Sequence, residues 1–140
     1  MFLTRSRNRS RRRGITVLEC GVVYPVATLL IVGTVVVGLG VFRYQEVGWL
    51  AREGARWASV HGPTYSAEQG GSEATSASVR TYLAELSVGM NTSTSDFVCT
   101  LDATKWSQGV AQVTVTYTWA AEAVFGSMSL TSTASTPITY

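Results

Sequence analysis

The sequence has few of the residues that build enzymatic and metal sites, with one histidine and two cysteines among 140 residues. No cluster of histidine, cysteine and carboxylate residues has the spacing of a metal site, and no glycine-rich phosphate loop follows a predicted strand. Serine, threonine and aspartate are plentiful, but the pattern places no general base beside a nucleophile. We therefore predict that the chain is not an enzyme and holds no cofactor or metal.

The two cysteines, Cys20 and Cys99, are too few and too badly placed for a disulfide framework. Cys20 begins an apolar run and Cys99 lies in the polar half of the chain, so a bridge between them would have to reach into that run. A lipoprotein signal is also disfavoured, because Glu19 directly before Cys20 is foreign to the small-residue pattern of such a site. We expect two free thiols, and a redox sensor built on Cys99 stays open as an alternative.

Charge is missing from residues 20–42, and acidic residues are missing from residues 1–13. The first 13 residues contain six of the eleven basic residues, whereas residues 15–140 contain five basic and nine acidic ones, a net charge of five minus nine, or −4. The overall basic balance is therefore no sign of a nucleic-acid partner, and we predict none. Arginines beside a membrane segment hold that side in the cytoplasm, which predicts a cytoplasmic N-terminus and a non-cytoplasmic C-terminal domain.

The charge-free run is long enough to cross a membrane. As a helix, residues 20–42 would span roughly 34 Å at about 1.5 Å per residue, against a bilayer core of about 30 Å. A cleaved secretory signal has a shorter apolar core and a small-residue cleavage site, and the end of this run offers no such site. We therefore predict a single-pass membrane protein that has lipid as a partner.

Three residues inside the run bear on helix packing. Pro25 removes a backbone donor, which membrane helices tolerate because neighbouring groups satisfy the freed carbonyl. Thr34 and Gly38 form a small-xxx-small pair that lets two helices approach closely. We predict that Pro25, Thr34 and Gly38 belong to a helix-packing surface, while noting that small residues are frequent in membrane helices of every kind.

Glu19 lies directly before the charge-free run, five residues after Gly14. An ionised carboxylate in a bilayer costs at least about 2.5 kcal/mol at the centre and less near an edge, and such residues are usually functional. Two interpretations stay open: Glu19 extends to the headgroup level, or it meets a positive charge. A cut after Gly14 would supply that charge as the α-amine of Ile15, and Glu19 would then be the fifth residue of the new chain.

This junction resembles that of the type IV prepilins, which have a short basic leader, a glycine before the cut, an apolar helix and a glutamate at the fifth mature position. The resemblance implies that a membrane-bound prepilin peptidase cuts between Gly14 and Ile15 on the cytoplasmic side. It also implies that Glu19 pairs with the N-terminal amine of a neighbouring subunit and thereby sets its axial position.

Further along, the chain resembles the TadE-like minor pilins and pseudopilins of the tight-adherence (Tad/Flp) pilus system. The likeness rests on Val17-Leu18-Glu19, Pro25, Tyr44-Gln45, Ala51-Arg52-Glu53-Gly54-Ala55-Arg56-Trp57-Ala58, Val113–Tyr117, Phe125-Gly126, Leu130–Ala134 and Pro137–Tyr140. Residues 63–109 lie outside it, and Cys20 departs from the pattern because an aromatic residue or alanine more usually follows the glutamate. The resemblance implies that other pilin or pseudopilin subunits and pilus assembly proteins are partners.

Beyond residue 42 the pattern predicts an amphipathic helix to His61, followed by a stop at Gly62-Pro63. Small and apolar residues recur at spacings of three and four: Val47, Leu50, Gly54, Trp57 and Ala58. By composition residues 62–72 form a loop, and Ser72 is the predicted N-cap of a second helix at residues 73–88. Its apolar stripe comprises Val79, Leu83, Leu86 and Met90.

The last third of the chain predicts three strands, at residues 97–101, 113–119 and 128–140. Each alternates apolar and polar residues, which predicts an antiparallel sheet with one face covered by the helices and one face polar. Pro137 fits best at an edge of that sheet, since proline cannot donate a ladder hydrogen bond.

The predicted fold class is α+β, with a long N-terminal transmembrane and amphipathic helix packed on a small antiparallel sheet with a second helix, as in pilins. The predicted division is a basic leader at 1–14, a transmembrane helix at 15–42, its amphipathic continuation at 43–61 and a non-cytoplasmic domain at 62–140. The alternative is an uncleaved, signal-anchored envelope protein whose outer domain binds a ligand between helix and sheet.

Overall fold

A computed structural model of the chain describes residues 10–93, 95–120 and 126–139, with side chains from Thr16 onward. The order of elements is α1 (Ser10–Val60), α2 (Pro63–Gln69), α3 (Ser76–Leu86), β1 (Phe97–Leu101), α4 (Ala103–Ser107), β2 (Val110–Ala120) and β3 (Ser127–Pro137). The α+β class is confirmed: one long apolar N-terminal helix is combined with a three-stranded antiparallel sheet and shorter helices.

The chain forms two compact units, which divide between Leu39 and Gly40. In the first unit the described residues belong to α1 alone, which continues unbroken through Pro25. Its apolar side chains are open, with Leu18 and Leu29 more than 70% exposed. Within the described part of the chain, one helix is long and apolar enough to cross a membrane, and it lies near the N-terminus.

The second unit is built on a sheet with the strand order β1-β2-β3. Both pairings are antiparallel, with Cys99 opposite Val115 and Val113 opposite Ala134. Along β2 every second side chain is buried, which is the period of a sheet with one covered face. β3 is an edge strand without a charged residue, so the predicted edge position of Pro137 is confirmed. The strand ends at Pro137, however, and does not continue to residue 140 as predicted.

Helix α1 covers the sheet with a face made of small and aliphatic residues. Five of these side chains are fully buried: Val47, Leu50, Ala51, Ala55 and Ala58. Gly54 lies so close to its neighbours that a Cβ built on it would stand 3.0 Å from Leu83 and 3.2 Å from Val113. The absence of a side chain at Gly54 therefore allows the close approach of α1 to both α3 and β2.

The segment between α1 and the sheet departs from the sequence prediction in two ways. Residues 62–72 are not a simple loop, because Pro63 begins the short helix α2; proline suits the first position of a helix, whose N–H lacks a partner anyway. Ser72 is not the cap of the next helix. Thr75 caps α3 instead, and its hydroxyl and that of Ser78 satisfy each other's backbone N–H groups in a capping box.

Helix α4 was not predicted, although its N-cap is visible in the sequence. Asp102 accepts hydrogen bonds from the N–H groups of Thr104 and Lys105, at 2.9 and 3.2 Å. Such a carboxylate satisfies donors that a helix start leaves without partners. The helix has only five residues, too few for an apolar period to appear.

Candidate assembly and processing site

The predicted processing site lies inside a helix. α1 begins at Ser10, so the backbone of Gly14 and Ile15 is helical, with four helical residues before Gly14. The side chains around this bond lie outside the described part of the structure. The structure thus places the Gly14–Ile15 bond within the first two turns of α1.

Glu19 is exposed on α1, among apolar side chains that are exposed as well. Val17 and Leu18 before it are more than 70% exposed. Among the residues whose side chains the structure describes, Glu19 has no hydrogen-bond or ion-pair partner. The carboxylate is therefore presented outward on the helix surface.

The three predicted packing residues lie on the same exposed helix. Pro25 is accommodated without interruption of α1. Thr34 donates its hydroxyl to the carbonyl of Leu30 at 2.8 Å, which satisfies this polar group within the helix. A Cβ built on Gly38 would meet nothing within 4 Å. Of the three, Thr34 alone borders a shallow apolar groove on the helix, which is lined by Leu29, Leu30, Gly33, Thr34 and Val37.

In the second unit, a polar clamp joins the start of its helical segment to the turn after α3. Arg43 and Glu46 form an ion pair at 3.0 Å. Arg43 also donates to the carbonyls of Val88 and Gly89 at 2.9 and 2.7 Å, and Glu46 accepts from the N–H of Val88 at 2.8 Å. Gly89 has a φ of +68°, a conformation that favours glycine. Sequence analysis missed this clamp because its halves lie more than 40 residues apart.

The block at residues 51–56, which carries part of the TadE resemblance, has a physical explanation in the fold. Its small members face the sheet and its two arginines, Arg52 and Arg56, are exposed. Glu53 lies between these faces, where it accepts a hydrogen bond from the hydroxyl of Tyr82 at 3.2 Å. Burial, and next the Glu53 carboxylate, raise the pKa of Tyr82. The block thus combines close packing with a basic outer surface.

An aromatic stack closes the end of α1. The rings of Trp57 and His61 are 3.9 Å apart, those of Trp57 and Tyr82 are 5.3 Å apart, and Tyr65 lies against His61 at 4.6 Å. Nδ1 of His61 donates to the carbonyl of Trp57 at 2.8 Å. His61 directly follows α1 and satisfies a helix-end carbonyl.

The two cysteines have opposite environments. Cys20 is exposed on α1, whereas Cys99 is buried on β1, and both are free thiols. Burial raises the pKa of Cys99 to about 11, although the charge of Arg80 acts the other way. A thiol reacts as its thiolate, so this environment makes Cys99 unreactive.

The interface between α1 and the sheet is filled by side chains. The largest fully buried ones are Phe97, Leu50, Leu83, Val47, Val79, Val113 and Val115. An open cleft of mixed polarity lies elsewhere, beside α3, where Arg80 donates to the carbonyl of Thr92 at 3.0 Å. Among the described residues no group of three histidine, cysteine or carboxylate side chains is placed to hold a metal ion.

Comparisons with models of known protein families, with curated proteins and with solved structures found no match to this chain. The resemblance to the prepilins therefore rests on the sequence residues quoted above.

Proposed function

We propose that this chain belongs to the type IV prepilin class: a membrane-anchored subunit whose leader is removed before assembly. Within that class we propose a TadE-like minor pilin or pseudopilin of a tight-adherence pilus or of its assembly machinery. A prepilin peptidase would cut after Gly14 in the cytoplasm, and the outer α+β domain would lie on the non-cytoplasmic side. The observation that carries the proposal is Glu19, an exposed acidic residue directly before the charge-free stretch of α1 at residues 20–42.

The proposed mechanism is packing with a fixed register. The open groove around Gly33 and Thr34 lets a second helix approach, because small residues bring helix backbones together. The amine of Ile15 on one subunit would pair with Glu19 on the next. Two partly desolvated charges need not add net stability, so we assign this pair to the specificity of placement.

The cut is tested by the intact mass of the protein isolated from its own membrane. We expect Ile15 as the first residue, and we expect Gly14→Leu to retain the full leader. The matched control is Gly21→Leu in the same helix, at a site where a Cβ meets nothing within 4 Å; this variant should be cut normally. Wild-type protein that keeps its arginine-rich leader would refute the proposal and favour a plain signal anchor.

The register charge is tested by Glu19→Gln, which removes the charge but keeps the shape. We expect normal membrane insertion and normal cutting, with loss of the subunit from isolated pili or from the assembly complex. Glu68→Gln, an exposed carboxylate on α2, is the control and should be incorporated normally. Normal incorporation of Glu19→Gln would show that this carboxylate simply extends to the headgroups.

A further inference from the structure

The helical backbone at residues 14 and 15 conflicts with direct cutting of that bond. In an α-helix the carbonyl of residue 14 accepts from the N–H of Leu18, and the N–H of Ile15 donates to the carbonyl of residue 11. Both atoms of the proposed scissile amide are therefore engaged within α1. The adjacent turns of the helix also crowd the carbonyl carbon.

The chemistry of the cut needs that carbonyl to be accessible. In the hydrolysis a water oxygen adds to the carbonyl carbon of Gly14, and the C–N bond to Ile15 breaks. Gly14 keeps the new hydroxyl as its carboxyl group, and Ile15 takes a proton to become the free amine. The peptidase groups that activate the water and protonate the amine must come within hydrogen-bonding reach of these atoms, which a closed helical turn does not permit.

The residues around the bond make this part of α1 easy to open. Gly14 is followed by Ile15, Thr16 and Val17, so that glycine and three β-branched residues stand in succession. Glycine and β-branched residues have lower helix propensity than leucine or alanine, because backbone or side-chain freedom is lost. The segment also lies at a helix end, where local opening has the smallest free energy.

We propose that residues 10–17 of α1 open to an extended backbone before the peptidase cuts, and that Thr16 and Val17 set the rate of cutting through this opening. The inference rests on the proposed function and deepens it. Thr16 and Val17 act here as positioning residues, because they control access to the bond between Gly14 and Ile15 through the backbone.

The test uses two pairs of substitutions with identical composition and apolarity. Thr16→Leu/Val17→Leu introduces two strong helix formers, whereas Thr16→Ile/Val17→Ile introduces their β-branched isomers. With purified full-length chain and prepilin peptidase in the same detergent, we expect the leucine pair to be cut about twofold more slowly than the isoleucine pair, from the difference in helix propensity. The isoleucine pair should be cut as fast as the wild type.

Amide hydrogen exchange on the uncut chain provides a second readout. We expect residues 11–17 to exchange faster than residues 26–32 of the same helix, and the leucine pair to slow that exchange. Equal protection of the two segments, or equal cutting of the two pairs while the wild type is cut normally, would overturn this inference alone. If an active peptidase that cuts a control prepilin leaves the wild type intact, the proposed function itself is wrong.

Discussion

At the residue scale, glycines along α1 lie in two different environments. Gly54 lies in the second unit against Leu83, Val113 and Val79, where an added Cβ would come within 3.0 to 3.4 Å of side-chain carbons. Gly38 lies in the first unit, where an added Cβ would meet nothing within 4 Å. The first glycine is thus required by packing within the chain, and the second leaves room for a neighbour outside it.

Substitution of these two glycines should distinguish the one needed for packing within the chain from the one that leaves room for a neighbour. Gly54→Val should lower the free energy of unfolding by about 2 kcal/mol, because overpacking of a filled core costs about 1–3 kcal/mol. Gly38→Val is the matched control, and it should leave thermal unfolding of the outer domain unchanged. The measurement is a thermal melt of each full-length variant in one detergent. Equal melting temperatures for both variants would show that the core adapts at Gly54.

The buried thiol of Cys99 gives a prediction about pH. With a pKa of about 11, roughly one molecule in a thousand carries the thiolate at pH 8, so maleimide should modify the native protein very slowly at Cys99. The rate should rise about tenfold per pH unit up to pH 11. Because the folded pKa lies above the unfolded value of about 8.5, the thiol's contribution to stability is present below pH 8.5 and is lost as pH rises to about 11.

The control for this labelling is the denatured chain, in which Cys99 should react at the rate of an ordinary thiol. Peptide mass mapping distinguishes it from Cys20, which is exposed. Rapid modification of Cys99 in the folded protein at pH 7 would support the redox-sensor alternative instead.

At the scale of elements, the features predicted best from the sequence are those that repeat along the chain. The two-residue alternation identified β1 at Phe97–Leu101, and the spacing of apolar residues placed the end of α1 within one residue of Val60. The start of α3 was misplaced because Ser72 and Thr75 are both good N-caps by residue type. Only the bonds to Ser78 distinguish them.

What the sequence could not provide is contact between distant residues. Arg43 and Glu46 have the spacing of an ordinary helical ion pair, and nothing in the sequence indicates that both also bind Val88. In the same way, Glu19 could be singled out as unusual, but its exposure on a continuous helix required the structure.

The clamp provides a test at this scale. Arg43→Met keeps the apolar stem but removes the ion pair and the two bonds to the carbonyls of Val88 and Gly89. We expect a loss of about 1 kcal/mol, since a net hydrogen bond contributes about 0.5–1.5 kcal/mol and the guanidinium is partly exposed. Amide exchange should rise at residues 87–90.

Arg52→Met is the matched control, because Arg52 is an exposed arginine on the same helix. It should leave both stability and exchange at residues 87–90 unchanged. If the two variants behave alike, the clamp contributes nothing to holding the turn.

At the scale of the whole molecule, the arginine-rich start and the single apolar helix predict one orientation in the membrane. We expect a membrane-impermeant maleimide to label Ser107→Cys on intact spheroplasts and to label Ser6→Cys only after lysis. Both variants carry Cys20→Ser, and also Gly14→Leu, which keeps the leader with residue 6 on the chain. Because Cys99 is buried, the maleimide should not label the Cys20→Ser chain at Cys99. The positive flank favours this result, because Lys and Arg near a membrane helix stay in the cytoplasm. The reverse labelling pattern would contradict the predicted topology.

The uncharged edge strand β3 has a consequence for handling the protein. An edge strand presents backbone N–H and C=O groups that can pair with another chain, and natural sheets usually protect such edges with charged residues. Ser127–Pro137 has none. In concentrated detergent solution this strand should nucleate aggregation, visible as rising light scattering, and Thr133→Lys should delay it.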